Sequence, residues 1–140
     1  MQRSSSSNKG FSLVELIIVI SIMAVLIGIL APQFISYIHK SRVASDWANL
    51  KAYYSEIETD CIDNNGTPNP DVPTVDHSPG SDDKYRRREI KFLDGRTVKL
   101  KAGFYAVIFE NGGYQIAYYC DKCKSDWDKH KKTCELTLGL

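Results

Sequence analysis

Residues 16–38 hold no charged side chain, and this run constrains the chain more than any other feature. As an α-helix, 16–31 alone would extend about 24 Å, and the run to residue 38 about 34 Å, enough to cross a bilayer core. The chain has 140 residues, room for one domain plus such a segment and too little for two ordinary domains. Nearly all of the charge follows residue 39, and 18 Lys and Arg against 17 Asp and Glu leave a formal net charge of +1. No basic excess therefore points to nucleic acid as the main partner. The composition excludes a collagen, a fully disordered chain and a polytopic membrane protein.

The flanks of the run give it a direction. Arg3 and Lys9 are the only charges in residues 1–10, which favours a cytoplasmic N-terminus. A secretory signal peptide puts a small-residue cleavage site after its apolar core. Here Pro32, Gln33 and Phe34 follow instead, so the segment is expected to be retained. One residue is out of place: Glu15 lies within an apolar block that opens at Phe11. A carboxylate at that depth is costly and marks a functional site by default. The alternative is a carboxylate that merely snorkels to the headgroup level, and Glu15 alone does not separate the two.

Taken together, Lys9-Gly10-Phe11-Ser12-Leu13-Val14-Glu15-Leu16, the uninterrupted apolar helix and Pro32 resemble the N-terminus of type IV pilins and pseudopilins, that is, a prepilin with a class III leader peptide. The match covers about thirty residues, a little over a fifth of the chain. It implies a leader at 1–10, a transmembrane and filament-core helix at 11–38 and a globular head at 39–140. It implies a membrane peptidase that cuts between Gly10 and Phe11 and N-methylates Phe11. Gly10 suits such an enzyme because it has no side chain to obstruct it. Cleavage would leave a cationic amine on Phe11, and in an apolar environment that amine and Glu15 each need a partner. The resemblance implies that these partners come from neighbouring subunits, so that Phe11 and Glu15 set the register of assembly. Further implied partners are the pilus assembly platform and its ATPase. The implied location is the cytoplasmic (inner) membrane before assembly and an extracellular filament afterwards, with adhesion and twitching motility among the family's uses. Pro32 removes a helix hydrogen bond and Gly28 weakens the same stretch; together they predict a bend or meltable segment, in keeping with the family's proline.

Beyond residue 36 the helix turns amphipathic. Val43, Trp47, Leu50, Tyr54 and Ile57 form one stripe with spacings of 4, 3, 4 and 3. One helix is expected from about residue 12 to about 59, its first half apolar all round and its second half burying one face. Asn64-Asn65-Gly66 ends it, and 64–84 reads as a long surface loop rich in proline. Strands follow at 89–93, 96–101, 104–110 and 114–120, with turns at Asp94-Gly95, Ala102-Gly103 and Asn111-Gly112-Gly113. The expectation is an α+β fold in which a four-stranded antiparallel meander over 88–120 covers the helix stripe.

Four cysteines, Cys61, Cys120, Cys123 and Cys134, all follow the apolar segment. An exported head would permit disulfides. The favoured pairing joins Cys61 to Cys120 or Cys123 and Cys134 to the other, each long bridge contributing about 3–4 kcal/mol. The competing arrangement is a zinc site built from Cys120, Cys123, His130 and Cys134. Arg86-Arg87-Arg88, beside Lys84 and Tyr85, is either an anion patch or a solvated strand start balanced by Asp82, Asp83 and Glu89; the second is favoured. Ser125–Lys132 is expected to be a charged loop or short helix with Trp127 as a lid. No nucleophile–base spacing, phosphate loop or paired acids appear, so no enzyme, cofactor, metal or specific nucleic-acid partner is expected. Three functions compete: a structural subunit of a type IV pilus-like filament; a pseudopilin or minor pilin of a type II secretion or DNA-uptake system; and a membrane-anchored CxxC metal-binding module. Gly10 and Glu15 separate the first from the third, because a mere anchor needs neither.

Overall fold

The structure is a computed structural model that describes residues 10–75, 86–121 and 136–139. Residues 1–9 of the expected leader, the middle of the long loop, Cys123, Trp127, His130 and Cys134 lie outside the described residues. The chain divides into two compact units, Met1–Ile38 and His39–Leu140.

Helix α1 spans Leu13–Asp63. It starts where Ser12 and Glu15 cap its first turn (below). It ends in a Schellman motif: the Gly66 N–H donates to the Cys61 carbonyl at 2.8 Å and the Asn65 N–H to that of Ile62 at 3.1 Å. Asn65 holds the left-handed position with φ 56°, which asparagine tolerates better than most residues. Throughout 10–38 every residue is exposed. Pro32 lies inside the helix and has no N–H to offer the carbonyl of Gly28, one turn back.

The second half of α1 carries the core of the head. Its buried residues are Val43, Asp46, Leu50, Tyr53, Ile57 and Cys61. The expected stripe is thus rotated slightly: Trp47 and Tyr54 flank the buried line rather than lie on it, and Asp46 and Tyr53 take its centre. Strands β1 (Glu89–Lys91) and β2 (Thr97–Lys99) pair antiparallel as a two-stranded sheet. Their turn has Gly95 at φ 90°, with its N–H donating to the Phe92 carbonyl at 3.1 Å. Strands β3 (Gly103–Glu110), β4 (Gly113–Cys120) and β5 (Leu136–Leu138) form a three-stranded antiparallel sheet in the order β3-β4-β5. Asn111 and Gly112, both at positive φ, make the two-residue β3–β4 turn, the geometry that matches strand twist.

The single four-stranded meander is therefore corrected. The α+β class stands, but the strands fall into two sheets, and β5 adds a fifth strand beyond residue 120. The cause lies at Lys101 and Ala102. Both of their N–H groups donate to the Asp46 carboxylate, each at 2.8 Å, so this turn is tied to α1 and β2 does not pair with β3. The outer side of β3 is covered by isolated bridges instead. Arg87 and Tyr105 exchange N–H···O bonds of 3.0 and 2.9 Å, and the Val75 N–H reaches the Val107 carbonyl at 2.8 Å, which shields part of an otherwise open edge.

Candidate functional site

At the start of α1, Gly10 and Phe11 precede the helix and Phe11 is 93% exposed. The Ser12 N–H donates to Glu15 Oε2 at 2.8 Å. The Ser12 Oγ accepts from the Val14 N–H at 3.3 Å. The Leu16 N–H closes the first turn on the Ser12 carbonyl at 3.2 Å. This is a capping box, in which a serine and the acid three residues on satisfy helix N–H groups that have no partner within the helix. The negative charge also sits at the positive end of the helix dipole. Glu15 thus has a partner within its own chain, one residue from the expected cleavage bond. The sequence carries the signal as Ser-x-x-Glu ahead of an apolar run.

From Leu13 to Tyr37 the large apolar side chains are 50–75% exposed. Water would not tolerate such a surface on a monomer. The helix passes the length and composition test for a membrane span. Gly28 has open space where a side chain would stand, so it is no site of close packing within this chain.

In the head, α1 presents its acids to backbone donors of the sheets and loops. Asp46, with 0% exposure, accepts from Lys101, Ala102 and the Tyr118 hydroxyl, the last at 3.0 Å. Glu56 accepts from the Leu93 N–H and Glu58 from the Tyr114 N–H, each at 3.2 Å. Asp60 accepts from the Asn69 side-chain amide at 2.9 Å. These carboxylates fix the head to its own helix segment. None of them is visible in the sequence pattern, because Asp46, Glu56 and Glu58 find their partners 37 or more residues away and Asp60 finds its own across the helix end.

The remaining sequence candidates are placed as follows. Cys61 is a buried thiol whose Sγ lies 3.8 Å from the Gly112 carbonyl, so the bridge expected from it is not formed in the structure. Burial pushes its pKa up, helped by Glu58 and Asp60, which makes it a poor nucleophile. Cys120 is buried in β4; Cys123, His130 and Cys134, needed for either the second bridge or the zinc site, lie outside the described residues. Among the described residues no group of three or more His, Cys, Asp or Glu is placed to hold a metal. The arginine cluster is dispersed in role. Arg88 makes a two-pronged pair with Asp121, whose hydrogen bond raises the guanidinium's pKa. Arg87 bridges to β3, and Arg86 lies 4.5 Å over the Phe104 ring. A recess of about 230 Å³ between Arg87, Glu89, Lys91 and the loop at Pro70–Pro73 has mixed charge and no nucleophile–base pair.

Residues 5–31 match a family model described as the prokaryotic N-terminal methylation motif. The chain is 38% identical over 55 residues to the type IV major pilin protein PilA of Myxococcus xanthus, covering 39% of this chain and 25% of the relative. It is 38% identical over 58 residues to the type IV major fimbrial protein FimA of Dichelobacter nodosus, covering 41% of this chain and 37% of the relative. The matched stretch thus spans between a quarter and about two fifths of the length of these curated relatives. No solved structure matches the chain significantly.

Proposed function

We propose that this chain, whose N-terminal segment matches the prokaryotic N-terminal methylation motif and part of a type IV major pilin, is a structural subunit of a type IV pilus-like extracellular filament. Its activity is polymerisation, and no catalytic residue takes part. A prepilin peptidase cuts between Gly10 and Phe11 and methylates the new amine, and the assembly platform with its ATPase then moves the helix from the membrane into the filament.

The observation that carries this reading is one carboxylate at the tip of an otherwise exposed apolar helix. Cleavage places a cationic amine on Phe11, next to Ser12, whose N–H Glu15 already accepts. In lipid, the chain can therefore neutralise its own tip. In a filament, the amine of a neighbouring subunit can take that place. Apolar packing then supplies attraction, and the charge pair selects one axial offset, because an unpaired ion in an apolar core is costly. Gly28 and Pro32 give the helix a carbonyl without its usual donor, a point at which it can bend or melt as it packs. The description of both relatives as major subunits supports a filament over a pseudopilin or minor pilin of a secretion or DNA-uptake machine.

The test is the N-terminal mass of the protein in filaments sheared from the cell surface. The expected species starts at methylated Phe11. Gly10 replaced by a bulky residue leaves uncut precursor in the membrane, and Glu15→Ala permits cutting but lowers filament yield. A chain intact from Met1 and always monomeric would refute the proposal.

A further inference from the structure

We propose that Asn65 is an acceptor for N-linked glycosylation on the exported face of the head. The sequence reads Asp63-Asn64-Asn65-Gly66-Thr67. Asn65-Gly66-Thr67 is an Asn-x-Thr acceptor, a pattern that belongs on the surface of exported proteins.

The structure leaves this tripeptide open to solvent. Every residue from 62 to 68 is exposed. Asn65 and Gly66 sit at φ 56° and 77°, and the Thr67 N–H donates to the Asn64 carbonyl at 3.2 Å. The acceptor amide and the hydroxyl two residues on are thus carried by one tight turn beyond the end of α1. The backbone N–H groups of Asn65 and Gly66 close the Schellman motif, but among the described residues neither the Asn65 amide nor the Thr67 hydroxyl makes a side-chain hydrogen bond. Modification would cost the fold no contact of these groups. The neighbourhood also has something to gain from cover. Ile62, 70% exposed, is the one large hydrophobic in the described part of the head that stands so open, and it lies three residues from Asn65.

The co-reactant is an oligosaccharide carried on a lipid pyrophosphate, delivered by a membrane transferase. The Asn65 Nδ2 bonds to the anomeric carbon of the first sugar. The bond from that carbon to the pyrophosphate oxygen breaks, the lipid pyrophosphate leaves with the electron pair, and the amide gives one proton to a base of the transferase.

This inference rests on the proposed export of the head, so its test must separate the two. The full chain is recovered from surface filaments of the organism that encodes it, and its intact mass and N-terminus are measured together. The expected wild-type protein starts at Phe11 and exceeds the bare mature mass by a whole number of sugar residues. Asn65→Gln and Thr67→Ala return to the bare mass, while Thr67→Ser keeps the addition. Thr67→Ala guards against a folding artefact, since Thr67 is outside the helix cap. A wild-type chain that starts at Phe11 with the bare mass overturns the glycan and leaves the filament reading intact. An added mass that survives Asn65→Gln overturns it too. A surface chain that still carries its leader refutes the filament reading itself.

Discussion

Asp46 holds the head together at a place where a hydrophobic residue would be expected, and replacing it should be costly. Its carboxylate accepts from the Lys101 and Ala102 N–H groups at 2.8 Å and from the Tyr118 hydroxyl at 3.0 Å, with no exposed surface. In Asp46→Ala the Tyr118 hydroxyl can rotate, but the two N–H groups are fixed by the turn. Leaving them without acceptors costs about 1–3 kcal/mol each, so the variant should lose about 2–6 kcal/mol. That is a large share of the roughly 5–15 kcal/mol that stabilises a typical domain. For a head of about a hundred residues it corresponds to a fall of about 10–30 °C in Tm.

Asp46→Asn sharpens the point. It keeps the shape and one acceptor oxygen but turns an amide NH2 toward a donor, so it should fall between the wild type and Asp46→Ala. Tyr118→Phe removes one donor and leaves the carboxylate its two N–H groups, and should cost about 1 kcal/mol. The assay is urea unfolding of the detergent-held full chain, followed by near-ultraviolet circular dichroism of the buried tyrosines. A double-mutant cycle of Asp46→Ala with Tyr118→Phe should give a coupling of about 0.5–3 kcal/mol. If Asp46→Asn and Asp46→Ala both unfold within about 0.5 kcal/mol of the wild type, the carboxylate does not tie helix to sheet, and the account of the two-sheet topology fails with it.

Two further predictions come from the same core. Burial raises the Tyr53 phenol to about 12 and pushes Tyr105, Tyr114 and Tyr118 in the same direction. The unfolded chain, with tyrosines near 10, therefore releases its protons first; the stability these phenols contribute is complete below about pH 10 and falls as the pH rises toward 12, by up to about 1.4 kcal/mol per pH unit for each. Urea midpoints measured across this range should decline together with the appearance of tyrosinate absorbance, and a midpoint that stays flat would refute the burial. Gly103→Ala would place a methyl 2.3 Å from the Tyr119 carbonyl oxygen and 2.6 Å from the Tyr118 ring; overpacking of this kind costs about 1–3 kcal/mol, and an unchanged Tm would count against the β3–β4 register.

What could be read in advance follows from how local each signal is. The turns were legible because Asn65-Gly66, Asp94-Gly95 and Asn111-Gly112 encode their own positive φ angles. The amphipathic half of α1 was legible as a period, with Val43, Leu50 and Ile57 on its buried line, but its centre was not. Tyr53 and Tyr54 are adjacent and equally apolar, and only contact with Phe92 and Tyr105, at ring separations of 5.6 and 6.2 Å, turns Tyr53 inward. Asp46 could not be seen, since a hydrophobic pattern discounts an acid whose donors lie 55, 56 and 72 residues away. β5 is three residues long, too short to show alternation, and is defined by pairing with β4. At the other end, the capping role of Glu15 was written in Ser12-Leu13-Val14-Glu15 and needed only the helix start to be placed.

The two units differ in what they still lack. Among the described residues, the head satisfies its buried acid from within and encloses its aromatic core. The apolar half of α1 does not. More than a dozen of its Leu, Ile, Val, Met and Phe side chains are at least half exposed, and burying such residues is worth about 1.5–3 kcal/mol each. Removing them from water therefore offers tens of kcal/mol that no contact among the described residues 10–38 supplies. Lipid and copies of the same helix can each provide that burial, and they do so nearly equally well, because acyl chains are as apolar as leucine. The hydrophobic term thus keeps the helix out of water without choosing between membrane and filament. On the proposed reading the choice falls to the polar minority: one carboxylate at the tip, which reaches back along its own chain, and the amine that cleavage would place beside it.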